Sequence, residues 1–425
     1  MKRIFTAFMM MLCAACVASA ANYLTFTAEE DGSTFGIVNY NGNNPDIQYS
    51  LDGGETWNAL AAGDTITLAH KGDKALLRGN NPNGFSKSEA PYSYFTMAGK
   101  IAASGSVMSL IDGTGLSTEI PNGYCFYRSF ISCTSLTRAP ELPATTLTAF
   151  CYDAMFLGCT SLTQVPALPA TTLADGCYSS MFYGCTSLTQ APELPVTTLA
   201  RGCYKSMFRG CTSLTQAPEL PATTLAEGCY DGMFSGCTSL TQAPKLPATT
   251  LARGCYDGMF SDCTNLTQAP ELPATTLAEY CYVYMFSGCT SLTQAPELPA
   301  TTLTDFCYNR MFLGCTSLTQ APELPATTLA RGCYVGMFQG CTSLTQAPEL
   351  PATTLAEGCY YKMFSDCTNL SEINVSFDKW IDESSETSEW VVNVGPTGTF
   401  ICPKALSLEY GENRIPKGWK VKYID

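Results

Sequence analysis

The sequence predicts a stacked solenoid of short parallel strands and helical or 3₁₀ turns, flanked by an N-terminal β-sandwich-like domain and a small C-terminal cap. Three observations lead there. A 26-residue unit recurs ten times between residues 120 and 371 without a slip in spacing. Ahead of it, residues 21–115 read as short alternating runs separated by turn clusters. Behind it, residues 372–425 drop the period and carry three of the four tryptophans, Trp380, Trp390 and Trp419. With a fixed period in this range, each unit buries its apolar face only against its neighbours, and the two ends need covers.

Residues 1–20 read as a secretory signal. Lys2 and Arg3 precede an apolar run from Ile4 to Val17, and Ala18-Ser19-Ala20 offers a small-residue cleavage site. The alternative is a lipid anchor on Cys16, which calls for Leu three positions earlier, where Cys13 stands. No later stretch approaches the ~20 apolar residues of a membrane span. Net charge is −14, and loss of Lys2 and Arg3 takes it to −16. Such a chain repels nucleic acid and anionic lipid surfaces, so neither is an expected partner.

In residues 21–115 the turn signals are Gly42-Asn43-Asn44-Pro45, Asp52-Gly53-Gly54, Gly72-Asp73 and Asn80 to Gly84. Turns at this spacing argue for a small antiparallel sandwich. Ser50-Leu51-Asp52-Gly53-Gly54-Glu55-Thr56-Trp57 resembles the Asp-box of sialidases. That resemblance implies a hairpin in which Asp52 ties the turn backbone and Trp57 packs beneath it. One copy in so few residues makes neither a propeller nor a glycosidase.

The repeat reads L-T-Q-A-P-E-L-P-A-T-T-L-A-x-G-C-Y-x-x-M-F-x-G-C-T-S. Cys229, Met233, Cys237 and Leu240, with Phe234 beside them, fall on one face of a helical or 3₁₀-like turn. Twenty of the 23 cysteines are these two columns. Cysteine there acts as a small buried hydrophobe and Met as a gap-filler. Buried thiol ladders are the first reading; disulfides between adjacent repeats and metal stay open, although a C-x₇-C pair is not a zinc spacing. No metal or cofactor is expected. L-T-Q-A-P is the strand, cut short because Pro192, Pro218 and their equivalents have no N–H for a ladder.

Two charged columns run through the repeats. Asp175, Arg201, Glu227, Arg253, Glu279, Asp305, Arg331 and Glu357 largely alternate in sign, as a register ladder would. Glu193, Glu219, Glu271, Glu297, Glu323 and Glu349 form an acidic stripe, interrupted by Lys245, that is either solvated or met by a basic partner. The most variable positions follow the tyrosine, with Lys205, Tyr284, Arg310 and Tyr361 as candidate binding residues.

Met233-Phe234-Ser235-Gly236-Cys237-Thr238-Ser239-Leu240 resembles the core of the BspA-type leucine-rich repeats of bacterial surface proteins. The ending, with Gly398-Thr399-Phe400 and Ile415-Pro416-Lys417-Gly418-Trp419, is similar to endings of repeat proteins from anaerobic gut and oral bacteria. The resemblance implies a secreted or cell-surface protein that adheres to host or bacterial macromolecules. Here Ala and Pro occupy a strand that in the family is richer in Leu and Ile.

Chemistry finds little ground. His70 is the only histidine, and no phosphate loop or dinucleotide fingerprint is present. The sequence therefore points to a non-catalytic exported surface protein that binds host or bacterial protein through its repeats. The alternative is a glycan-binding head made by Tyr49, Trp57, Tyr92 and Tyr94 of the N-terminal domain, with the repeats as a spacer.

Overall fold

The computed structural model describes residues 20–381 and 385–424; residues 1–19 of the expected signal segment, with Cys13 and Cys16, lie outside them. Eight strands come first: β1 (Leu24–Ala28), β2 (Ser33–Tyr40), β3 (Gln48–Ser50), β4 (Asn58–Ala59), β5 (Thr65–Leu68), β6 (Lys74–Arg78), β7 (Tyr92–Ala98) and β8 (Ile101–Ser104). Each of the four turn clusters falls between strands. A short helix α1 (Ser109–Asp112) follows, then β9 (Leu136–Arg138) in the first repeat. One sheet runs β4-β3-β6-β1-β8-β9 and a second β5-β2-β7. Phe26, Phe35 and Phe95 meet edge to face between them, with centroids 5.2 Å apart.

The first sheet does not end at the repeats. β8 pairs in parallel with β9, and Phe95 N–H donates to the Ser129 carbonyl at 2.8 Å. Phe130, in the first repeat, packs against Phe95 with centroids 5.2 Å apart. The N-terminal sheets thus cover the open end of the stack with backbone bonds as well as apolar surface.

Within the stack, bonding between neighbours follows one rule. In C-Y-x-x-M-F-x-G every second amide leaves its own repeat: Tyr152, Ala154, Phe156 and Gly158 donate to the carbonyls of Cys177, Ser179, Met181 and Tyr183 at 2.7–3.0 Å. The amides between them close local turns, Asp153 to Phe150, Met155 to Tyr152 and Leu157 to Ala154. The segment is therefore a ribbon of successive turns, and the expectation of a helical or 3₁₀ turn is corrected. A left-handed residue every fourth position is the reason, as at Phe150 (φ 55°), Ala154 (φ 52°) and Gly158 (φ 73°). Such residues break a helix. A four-residue recurrence still puts Cys, Met and Cys on one side, which is why apolar spacing resembled a helical face. The only α-helix among the described residues is α1.

The strand is reduced to its minimum by proline. In the strand segments successive repeats are joined by single parallel bridges, Gln190 to Gln216 and Thr198 to Thr224, because the prolines between them offer no N–H to extend a ladder. The core is regular instead. Cys229, Met233, Phe234, Cys237 and Leu240 are fully buried. Phe208, Phe234 and Phe260 stack at 5.7 Å, and Tyr204, Tyr230 and Tyr256 at about 6 Å.

All twenty repeat cysteines and Cys402 are buried free thiols, so of the alternatives open from sequence the structure holds the thiol ladder. Each second-column thiol has a partner that the sequence did not reveal. Cys237 Sγ–H donates to the carbonyl of Phe208 in the preceding repeat at 3.1 Å, Cys263 to Phe234 and Cys289 to Phe260 likewise. The same carbonyl already accepts the N–H of the cysteine three residues on, Cys211 to Phe208 at 3.0 Å, so the thiol fills its second acceptor position.

The cap is less of a break than its composition suggests. β10 (Glu372–Asn374), β11 (Thr399–Cys402) and β12 (Lys420–Tyr423) form a parallel sheet, and Gln346 bridges to Glu372 to join it to the repeats. Tyr360, Lys362, Phe364 and Asp366 donate to Glu386, Ser388, Trp390 and Val392, which continues the alternate-amide rule for one more turn. Trp390 stands where the next phenylalanine would be, 6.2 Å from Phe364, and its Nε1 donates to the Arg414 carbonyl at 2.9 Å.

Candidate binding surfaces of the repeat stack

Four surfaces take up the polar residues that the core leaves over. The first is the acidic stripe. Glu193, Glu219, Glu271, Glu297, Glu323 and Glu349 are all exposed, and among the described residues no ion pair reaches them. Stacked one per repeat, they stand about 5 Å apart, close enough to repel one another unless solvated or paired. The equivalent Glu141 instead accepts a hydrogen bond from Asn22 at 2.7 Å, at the junction with the N-terminal sheets.

The second is the sign-alternating column. Arg201 pairs with Glu227 at 3.5 Å, Arg253 with both Glu227 and Glu279 at 3.4 and 3.6 Å, and Arg331 with Asp305 at 3.1 Å. These side chains are a third or more exposed, so each pair contributes about 0.2–1 kcal/mol. Their larger effect is on register, since a slip of one repeat sets like against like. Arg253→Glu puts four acids side by side, from Glu227 to Asp305; a loss of about 1 kcal/mol at low salt, mostly recovered at high salt, is expected in thermal melts.

The third surface was not singled out from sequence. The residue before the first cysteine is Tyr124, Phe150, Gly176, Gly202, Gly228, Gly254, Tyr280 and Phe306 in successive repeats. All are left-handed, with φ between 55° and 60°. Phe150 stacks on Tyr124 at 5.0 Å and Tyr280 on Phe306 at 5.3 Å. Between these two pairs the four glycines floor a trough of about 650 Å³. Asp175, Arg201, Glu227 and Arg253 line one side of it, and Ser179, Lys205, Asp231 and Asp257 the other. Lys205 pairs with Asp231 at 2.8 Å. Burial, with Asp231 alongside, pushes the Asp257 carboxyl up to about 7. The signal was present beside the charged column, as a break from aromatic to glycine and back, but it was overshadowed by that column.

The fourth is a cleft of about 540 Å³ where the N-terminal sheets meet the first repeat, lined by Tyr40, Glu89, Tyr92, Tyr124, Tyr127 and Arg128. Arg128 lies 4.9 Å from the Tyr127 ring and 5.8 Å from Tyr92, so a protein cation already occupies those faces.

The remaining sequence candidates scatter. Arg310 lies over the Tyr284 ring at 5.6 Å on the outer edge of the ribbon. Tyr361 sits beside Lys362, which pairs with Glu389 of the cap at 3.3 Å. Only Lys205 joins a cavity. Tyr49, Trp57, Tyr92 and Tyr94 form no single platform. Tyr49 packs on Phe35 within the core, Trp57 lies under Arg78 at 4.0 Å, and the other two are on β7 of the second sheet. Asp52 accepts from the Thr56 N–H at 2.9 Å and from the Ser50 hydroxyl at 2.7 Å, and Trp57 Nε1 donates to the Gly54 carbonyl at 3.1 Å. The Ser50 and Thr56 hydrogen bonds hold the Asp52 carboxyl well below the usual carboxylate range. His70 is exposed in the turn between β5 and β6, and the described residues bring together no group of three His, Cys, Asp or Glu able to hold a metal.

A frame of recurring turns, with its polar residues in columns, defines a repeat protein. The BspA-type leucine-rich repeat region matches in six copies over residues 119–267, 204–328 and 279–385, more than half of the chain, and the chain belongs to that family. No curated protein matches it. No helix among the described residues is long and apolar enough to cross a membrane.

Proposed function

We propose that the chain is an exported, non-catalytic bacterial surface protein whose repeat stack adheres to host or bacterial proteins, with the acidic stripe as the contact face. The observation that carries this reading is the row of exposed, unpaired glutamates held in register on a rigid frame. A row of like charges costs the free protein self-repulsion, and a basic partner relieves it on binding. Membership of a repeat family built around an invariant core fits a surface role, and the apolar start of the chain fits export.

The test is a titration of the mature chain against a panel of matrix proteins by surface plasmon resonance, repeated with Glu219, Glu271, Glu297 and Glu323 changed together to Gln. Saturable binding that falls with salt, and at least tenfold in the fourfold variant (about 1.4 kcal/mol), is expected. Binding that survives both changes would move the contact off this face.

A further inference from the structure

We propose that the glycine-floored trough between Phe150 and Tyr280 binds a linear oligosaccharide of about four sugars, one against each glycine-bearing repeat. The proposal goes beyond the protein-binding reading and does not rest on it, because the trough and the acidic stripe lie on different segments of the repeat.

The trough exists by omission. Tyr124, Phe150, Tyr280 and Phe306 show that the stack holds this backbone position left-handed whatever residue it carries. Rings fill the column on both sides, and four consecutive repeats carry none of their own. A Cβ added at Gly228 or Gly254 would meet nothing within 4 Å, so the space is open and not packed by neighbours. Gly176 differs: its Cβ would collide with the Phe150 ring, which overhangs it as the end wall.

Length and chemistry then select the ligand. Stacked repeats advance by ~4.8 Å, close to the ~5 Å step of one pyranose in an extended chain, so a glycan can repeat its contacts in phase with the protein. An extended peptide advances ~3.3 Å per residue and falls out of phase. The walls carry both signs already paired, Arg201 with Glu227 and Lys205 with Asp231. A sugar hydroxyl donates to the carboxylate and accepts from the cation of such a pair. Along the trough the walls change from acidic (Asp175) to basic (Arg201 and Lys205) to acidic again (Glu227 and Asp231), so a uniformly charged ligand spanning it would meet its own sign in part of its length. The floor is backbone, with no apolar pocket to receive peptide side chains. The aromatic pairs across the two ends suit the C–H faces of terminal sugars, and Arg253, 5.2 Å from the Tyr280 ring, adds donors at that end.

The experiment is calorimetric titration of the mature chain with cellotetraose, chitotetraose, laminaritetraose and maltotetraose and with the matching disaccharides. At least one tetrasaccharide is expected to bind, about tenfold or more tighter than its disaccharide. Gly228→Phe places in the trough the ring that Phe150 carries at the same backbone angle, and should abolish that binding with the melting temperature kept. Tyr280→Gly removes the inner ring of that end wall, lengthens the glycine run to five repeats up to Phe306 and should shift preference to the pentasaccharide, a gain that survives as a test if Gly228→Phe misfolds. Three results would overturn the proposal: no tetrasaccharide binding at millimolar concentration, binding indifferent to both substitutions, or saturable binding of an unstructured peptide that Gly228→Phe removes.

Discussion

Between pH 9 and pH 10 the repeat stack is expected to unfold cooperatively, well below the pH that ordinarily disrupts domains of this size. The cause is the double column of thiols. Burial pushes them up from an ordinary 9.0 to about 12 at Cys151, Cys203 and Cys229, and well above the ordinary value at Cys237 and Cys255 too. A folded-state pKa above the unfolded one means that the native state keeps its protons while the unfolded chain loses them. Stability is therefore complete below pH 9 and falls as pH rises through it. Each buried thiol costs about 0.4 kcal/mol at pH 9 and about 1.4 at pH 10. Over the twenty repeat thiols that exceeds the ~5–15 kcal/mol holding a typical domain before pH 10 is reached. Buried phenols such as Tyr178 and Tyr282, also raised by burial, add to the slope. Far-UV circular dichroism and thiolate absorbance should change together in one sharp step. Gradual ionisation with the fold intact to pH 11 would refute the argument. At neutral pH the same burial keeps the thiols protonated and out of reach, and an aromatic disulfide reagent should label almost none until denaturant is added.

Phe234→Ala is expected to cut the stack in two. The substitution removes a fully buried ring at a cost of about 3–5 kcal/mol. It also removes contacts with Phe208 and Phe260, each ring pair contributing about 0.5–1.5 kcal/mol beyond its area. In a globular core this would lower one melting temperature. Here each repeat touches only its neighbours, so a weak joint separates what lies on either side. Two thermal transitions are expected in calorimetry, with the N-terminal sheets and the repeats bonded to them melting apart from the C-terminal repeats and their tryptophan cap. Phe234→Leu, which keeps most of the volume, should retain one transition. A single transition in the alanine variant would show that cooperativity extends further than neighbour contacts carry it.

The period itself made the repeat architecture legible, and column identity separated core from surface, because a residue that must fit against its own copy above and below cannot vary. Register charges were legible for the same reason. The turn ribbon was not. Its four-residue recurrence puts Cys229, Met233 and Cys237 on one side as a helix does, and the left-handed residue that tells them apart is glycine at some repeats but Ala154, Ser180 or Tyr284 at others. The thiol-to-carbonyl bonds were hidden because donor and acceptor are 29 residues apart. Trp390 hid the extra turn of the cap by replacing a phenylalanine. The trough escaped notice because a missing side chain leaves no residue to point at.

The alternate-amide rule has one more consequence. Joints between the inner repeats use the same backbone donors and acceptors and the same tyrosine and phenylalanine rings, and only the end joints differ, with Phe126 at one end and Trp390 at the other. Excising or inserting one whole 26-residue unit in the middle therefore leaves the backbone bonds and core rings of both new faces matched, at a cost to the charged column: loss of the Arg253 unit sets Glu227 beside Glu279. The molecule behaves as a ruler with detachable segments. Its reach can change in whole steps while its two ends stay as they are.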